Sequence, residues 1–160
     1  MKNQELFDRT VGILVKAYQN DTLHHSNCYA CAVGNLVCAN MGMGYEKDKS
    51  GVVNIKWSGY DRIASWVNVF CTISNDEQDI NPFSYLGRAK EEIDATGYSW
   101  EDLAKIEYAF ETAPFGNSDD DFMFNGLMKV VDILMEIHEA NKAEITAAKS
   151  LFKKELTEVG

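Results

Sequence analysis

The sequence predicts an all-α fold, a single compact bundle of six to seven helices in one domain that spans residues 1–160. Apolar residues recur at spacings of three and four along most of the chain, which is the period of amphipathic helices. Capping residues and glycines stand at the ends of these segments. With 46% hydrophobic and 25% charged residues, a chain of this length buries about 70% of its unfolded surface, so its core needs neither disulfides nor metals.

The first two helices are predicted over residues 3–18 and from about residue 27 to residue 40. In the second helix, Asn27 is placed to act as N-cap and Gly42 lies just past the end. Most of its side chains are small, which lets a neighbouring backbone approach closely.

The helical period is lost between residues 41 and 60, where four glycines interrupt charged and aromatic residues. Residues 51–57 partly alternate, so the region is interpreted as an extended loop or a short β-hairpin. Helical spacing returns over residues 61–73, which predicts a third helix.

Turn signals define the next two helices. Pro82 fits a first helical position, and the segment to Thr96 is followed by Gly97, which predicts its end. Ser99 opens the next helix, which ends before Pro114.

The last two helices have the strongest start signals. Ser118 and the three aspartates after it fit an N-cap and a negative first turn, and an apolar stripe then runs to residue 137, which predicts the central helix. Asn141 and Glu144 form a predicted capping box for a final helix that continues through Leu156.

The formal net charge of -10 argues against general nucleic-acid binding and against binding to anionic membranes. The charge is uneven, with six basic and five acidic residues in 1–60 and nine basic and twenty acidic residues in 61–160. An anionic ligand is therefore expected to prefer the first sixty residues. The polar start of the chain has no signal-peptide pattern, so a cytoplasmic location with reduced cysteines is expected.

The segment His24-His25-Ser26-Asn27-Cys28-Tyr29-Ala30-Cys31 contains ligand types that zinc prefers. A second ligand pair is missing, so core-packing cysteines beside surface histidines are the favoured interpretation. A Cys28/Cys31 redox pair is a further alternative, because a helix N-terminus lowers a cysteine pKa. The favoured interpretation therefore includes no metal ligand, no cofactor and no catalytic residue.

Carboxylates also recur one helical turn apart, for example at Glu107 and Glu111. Such pairs are usually exposed and mildly repulsive, so the sequence predicts a solvated helix face there rather than acid–base catalysis.

Aromatic residues suggest a binding pocket. We expect Trp57 and Trp66 to form its walls and His25, Tyr29 and Asn35 to anchor a ligand. The occupant would be a small polar ligand, nucleotide-like in charge, or a protein partner. The prediction is thus a non-enzymatic binding protein that forms a homo-oligomer.

An enzyme that depends on a metal or a thiol, centred on His24, His25, Cys28 and Cys31, is the alternative function.

Two segments, Cys28-Tyr29-Ala30-Cys31-Ala32-Val33-Gly34-Asn35 and Phe122-Met123-Phe124-Asn125-Gly126-Leu127-Met128, resemble a group of small uncharacterised all-α proteins of bacterial and prophage type. The group supplies no activity and no site residues. The resemblance implies a phage-related accessory role, such as interference with host defence.

Overall fold

The computed structural model describes residues 1–24, 31–42, 45–47, 49–50, 53–55 and 90–153. Within these ranges it contains six helices, which confirms the predicted all-α class. They are α1 (Gln4–Gln19), α2 (Ala32–Asn40), α3 (Lys90–Thr96), α4 (Trp100–Glu111), α5 (Asp119–His138) and α6 (Lys142–Ser150). None of the helices in the described ranges combines the length and apolar composition that a membrane span requires.

Two three-residue strands accompany the helices. Strand β1 (Tyr45–Lys47) pairs antiparallel with β2 (Val53–Ile55). Of the two, only β2 lies within residues 51–57, where the sequence suggested a hairpin, and its partner precedes that range. A two-stranded pair of this size has little stability by itself.

The capping residues confirm several predicted helix starts. Ser99 and Ser118 each accept a hydrogen bond from the backbone N–H three residues later, so each is the N-cap of its helix. Asn141 and Glu144 form the complete reciprocal capping box at the start of α6. The predicted stop after α3 is also present, since Gly97 adopts φ +82°.

Two predicted boundaries are wrong. Helix α2 begins at Ala32 rather than near Asn27, because Cys31 is extended (ψ 178°) and acts as the N-cap. Helix α6 ends at Ser150 instead of continuing through Leu156, because the N–H groups of the two following residues bond to carbonyls only three positions back. The helix predicted over 61–73 lies outside the described residues, as does the first half of the helix predicted over 82–96.

Helix α5 lies antiparallel to α1. At one end, the Tyr18 hydroxyl donates to Asp120 at 3.1 Å. At the other end, the Lys2 backbone N–H donates to the His138 carbonyl at 2.6 Å. These contacts join the end of α1 to the start of α5, and the start of α1 to the end of α5.

Helix α6 returns beside α1 and runs parallel to it. Near the start of both helices, Lys2 and Glu139 form an ion pair at 3.1 Å. Beyond the other end, Gln19 donates its side-chain N–H to the Lys153 carbonyl at 3.2 Å. Helices α1 and α6 therefore both lie against α5, and the two run in the same direction.

The core lies where α4 crosses α5. A Cβ atom built on Gly126 would lie 2.8 Å from the Phe110 carbonyl oxygen, so only glycine fits at this crossing. The largest core side chains are fully buried. They include Leu14, Leu36, Leu103, Ile106, Phe110, Leu127 and Leu134.

Candidate functional site

A buried polar cluster lies at the N-terminus of α2 and includes Cys31, the last residue of the segment in which the sequence suggested a zinc or redox site. The Cys31 sulfur accepts the Gly34 backbone N–H at 3.2 Å. Glu107 reaches across from α4, and its Oε2 accepts the Val33 N–H at 3.2 Å. Backbone donors at the first turn of a helix lack partners within the helix. Here two of these N–H groups have acceptors, which are the Cys31 sulfur and the Glu107 carboxylate of α4.

Burial governs the charge state of this cluster. Glu107 is 2% exposed, and burial raises the pKa of its carboxyl to about 8 even though hydrogen bonds from Cys31 and Val33 lower it. Burial also raises the pKa of the Cys31 thiol well above its usual range, and the Glu107 charge raises it further. The expected lowering of a cysteine pKa at a helix N-terminus is thus reversed at Cys31, because desolvation and a carboxylate outweigh the helix dipole.

The expectation that Glu107 and Glu111 lie on a solvated face is wrong for Glu107. Glu107 follows Leu103 by four residues and precedes Phe110 by three, and both of these are fully buried. This spacing was the signal in the sequence that could have placed Glu107 inside. The half-buried Glu111 raises the Glu107 pKa through its charge and through a hydrogen bond.

Asn35, one of the predicted ligand anchors, is 0% exposed. Its amide nitrogen donates to the Thr22 carbonyl at 3.1 Å and to the Cys31 carbonyl at 3.0 Å. Its side-chain oxygen accepts the Thr22 hydroxyl at 3.0 Å. In this structure the amide therefore joins the segment after α1 to the start of α2, and its role as a ligand anchor stays a prediction.

The other four predicted pocket residues, His25, Tyr29, Trp57 and Trp66, lie outside the described residues. So does Cys28, which the metal and redox interpretations require. His24 is half-buried. Among the side chains that the structure describes, no group of three or more of the types His, Cys, Asp and Glu is arranged so that it could hold a metal ion.

A second candidate site, which the sequence analysis missed, is a groove between α1 and α6. We call it the α1/α6 groove; its volume is about 440 Å³. Its apolar walls are Phe7, Val11 and Gly12 from α1 and Ala147, Ala148 and Leu151 from α6 and the residue after it. Leu151 is 55% exposed, so apolar surface continues from the groove to the outside of the protein.

Small residues keep this groove open. A Cβ atom built on Gly12 would meet nothing within 4 Å, whereas Phe7 and Val11 beside it are 3% and 2% exposed. A glycine inside a helix costs roughly 0.5 to 1 kcal/mol relative to alanine, and Gly12 serves no turn. This unexplained glycine in an amphipathic helix was the signal that could have indicated the groove.

A further buried polar group is His138, which is 2% exposed. Its Nδ1 donates to the Lys2 carbonyl at 2.7 Å, and its Nε2 lies 2.7 Å from the Tyr98 hydroxyl oxygen. The Tyr98 hydroxyl is also hydrogen-bonded to Thr10, at 2.9 Å. Both imidazole nitrogens thus have partners within the chain, which is the arrangement of a structural histidine.

No protein-family model matches the chain, and neither a curated protein nor a solved structure matches it. The resemblance to prophage-type proteins therefore rests on the two segments quoted above. The second of them contains Gly126, the residue at the α4–α5 crossing.

Proposed function

We propose that this protein is a non-enzymatic binding protein and that its α1/α6 groove holds an apolar segment of a protein partner. The observation that carries the proposal is the open groove with an apolar floor, continuous with exposed Leu151. Its volume is within the range of small-molecule sites, which is roughly 300 to 1,000 Å³. Its lining favours an apolar occupant over the small polar ligand that the sequence suggested.

The described polar cluster gives less support to catalysis. A thiol acts as nucleophile or metal ligand in its deprotonated form. Cys31 is buried, caps α2 through its sulfur and has a raised pKa. The alternative enzyme centred on His24, His25, Cys28 and Cys31 would thus depend mainly on its other three members. Stoichiometric zinc or iron that is lost in the variant with Cys28→Ser and Cys31→Ser would favour that alternative.

Three further parts of the proposal rest on the sequence. They are a homo-oligomeric state, a cytoplasmic location, and a phage-related role in interfering with host defence. Each remains a prediction.

Binding of Nile red, a neutral dye that fluoresces in apolar surroundings, tests the proposed groove. Gly12→Leu is the decisive variant, because its side chain would enter the groove without meeting other atoms at its Cβ. We expect dye fluorescence with the native protein and a loss of at least about half of it in Gly12→Leu. Tyr108→Ser is the control, since it removes a 58% exposed ring elsewhere. Equal fluorescence in Gly12→Leu and the native protein would overturn the proposal.

A further inference from the structure

We infer that the occupant of the α1/α6 groove is an amphipathic helix of a partner protein, with lysine or arginine beside its apolar face. This inference rests on the proposed function and adds the chemistry of the partner. Its basis is charge: the ionisable side chains that line the groove, Asp8 and Glu144, are both carboxylates. The chain as a whole carries a formal charge of -10. Complementary charge steers association and selects the partner.

Three basic side chains near the groove are directed to other parts of the protein, so that the Met1 ammonium is the cation that lies with Asp8 and Glu144 among the described groove residues. Lys2 pairs with Glu139 at 3.1 Å, and Lys149 pairs with Asp132 at 2.7 Å. Arg9 lies toward Gly97, where its guanidinium is 3.5 Å from the position of a Cβ atom. A cationic partner would therefore supply charges that Asp8 and Glu144 do not receive from these three residues.

The shape of the groove favours a helix as the occupant. It follows α1 from Gln4 to Gly12, which is about 12 Å at 1.5 Å per residue, or just over two helical turns. Helices α1 and α6 run parallel and both lie against α5, so a further helix between them would extend the bundle. Gly12 and Ala147 leave room for its backbone, because helix axes approach to about 8–10 Å when the side chains at the contact are small.

A second copy of this chain fits the groove less well than a basic helix. Two copies with a net charge of -10 each repel one another. Self-association through the groove is nevertheless a measurable outcome and is included in the test.

Three labelled amphipathic peptides of about 18 residues, or five turns, provide the probes. They share one leucine and alanine face and differ in a polar face of lysine, glutamine or glutamate. Fluorescence anisotropy measures binding to the full chain. We expect the lysine peptide to bind about tenfold more tightly than the glutamine peptide and the glutamate peptide to bind least, with a smaller difference at about 0.5 M NaCl.

Substitutions in the protein locate the effect. Gly12→Leu should weaken every peptide that binds, because it fills the groove. Asp8→Asn should reduce the preference for the lysine peptide over the glutamine peptide by about threefold. Glu101→Gln removes an exposed carboxylate of α4 and is the matched control. Asp8 is chosen over Glu144, because Glu144 also forms the capping box of α6.

The outcomes separate this inference from the proposed function. Equal binding of the lysine and glutamine peptides, with both weakened by Gly12→Leu, would overturn the cationic partner and leave the groove proposal intact. Absence of both peptide and Nile red binding would overturn both. Dimers in sedimentation that Gly12→Leu abolishes would identify a second copy as the occupant and so overturn the inference.

Discussion

The hydroxyl oxygen of Tyr98 lies 2.7 Å from Nε2 of His138, although 40 residues separate them in the sequence. Both side chains are buried, at 6% and 2% exposure. Through Thr10 and the Lys2 carbonyl, the same chain of hydrogen bonds reaches α1 and the segment before it. A few polar atoms thus connect the turn before α4, the end of α5 and the start of the chain.

Removing the Tyr98 hydroxyl should destabilise the fold. Tyr98→Phe keeps the ring and leaves buried polar atoms of Thr10 and His138 without that partner. Such a loss costs about 1 to 3 kcal/mol, to be measured as the free energy of unfolding in urea. The control is Tyr108→Phe, at a ring that is 58% exposed. A loss in Tyr98→Phe no larger than in this control would contradict the role of the network.

The burial of Glu107 should make stability depend on pH. The pKa of its carboxyl is about 8 in the folded protein, against an ordinary value of 4.5. The folded state therefore retains a proton that the unfolded state loses, and stability falls as pH rises from about 4.5 through about 8. Above that range the loss is on the order of 5 kcal/mol.

Glu107→Gln isolates this effect. The amide can still accept the Val33 N–H, and it can donate toward Glu111 as the protonated acid does. We expect the variant to resemble the native protein near pH 5 and to be more stable than it near pH 9, as measured by urea unfolding at each pH. Glu101→Gln, at an exposed position, should follow the native profile. Parallel profiles for Glu107→Gln and the native protein would show that Glu107 is not buried in this way.

Replacing two helical glycines by alanine should change the stability of the fold in opposite directions. Gly126→Ala places a methyl group 2.8 Å from the Phe110 carbonyl and ring, and such overpacking costs about 1 to 3 kcal/mol. Gly12→Ala meets open space and should stabilise α1 by roughly 0.5 to 1 kcal/mol. Thermal unfolding of both variants checks the prediction, and a shift of the same sign in both would contradict it.

The two described cysteines should be unreactive in the folded protein. Burial raises the pKa of Cys31 well above its usual range and that of Cys38 to about 11, and the two side chains are 2% and 0% exposed. Peptide mass spectrometry after iodoacetamide treatment near pH 8 should find both unmodified in the folded protein and alkylated in urea. Rapid alkylation of Cys31 under native conditions would instead support the thiol-dependent alternative.

Local signals predicted much of the fold, because helix starts depend on a few adjacent residues. Ser99, Ser118 and Asn141 cap helices as their spacing indicated. The wrong prediction for the start of α2 is explained by tertiary contacts. Cys31 is the N-cap of α2, and Glu107 accepts the Val33 N–H from a position 74 residues further along the chain. No local pattern in the sequence reports such a contact.

The candidate site was less predictable than the fold. Asn35 was singled out for its polarity, but its hydrogen-bonding capacity is used by Thr22 and Cys31. The α1/α6 groove arises because two helices that are adjacent in space, and distant in sequence, both have small residues on facing sides. In the sequence, Gly12 was the one indication of the groove, because a glycine inside a helix lowers stability and no turn requires it there.

The crossing at Gly126 also limits which amino-acid sequences can adopt this architecture. A homologue with the same helix arrangement must retain glycine there and a ring of similar size sixteen positions earlier, while its surface can diverge widely. Remote relatives are therefore better sought with this pair of positions and the spacing of the capping residues than with overall sequence identity.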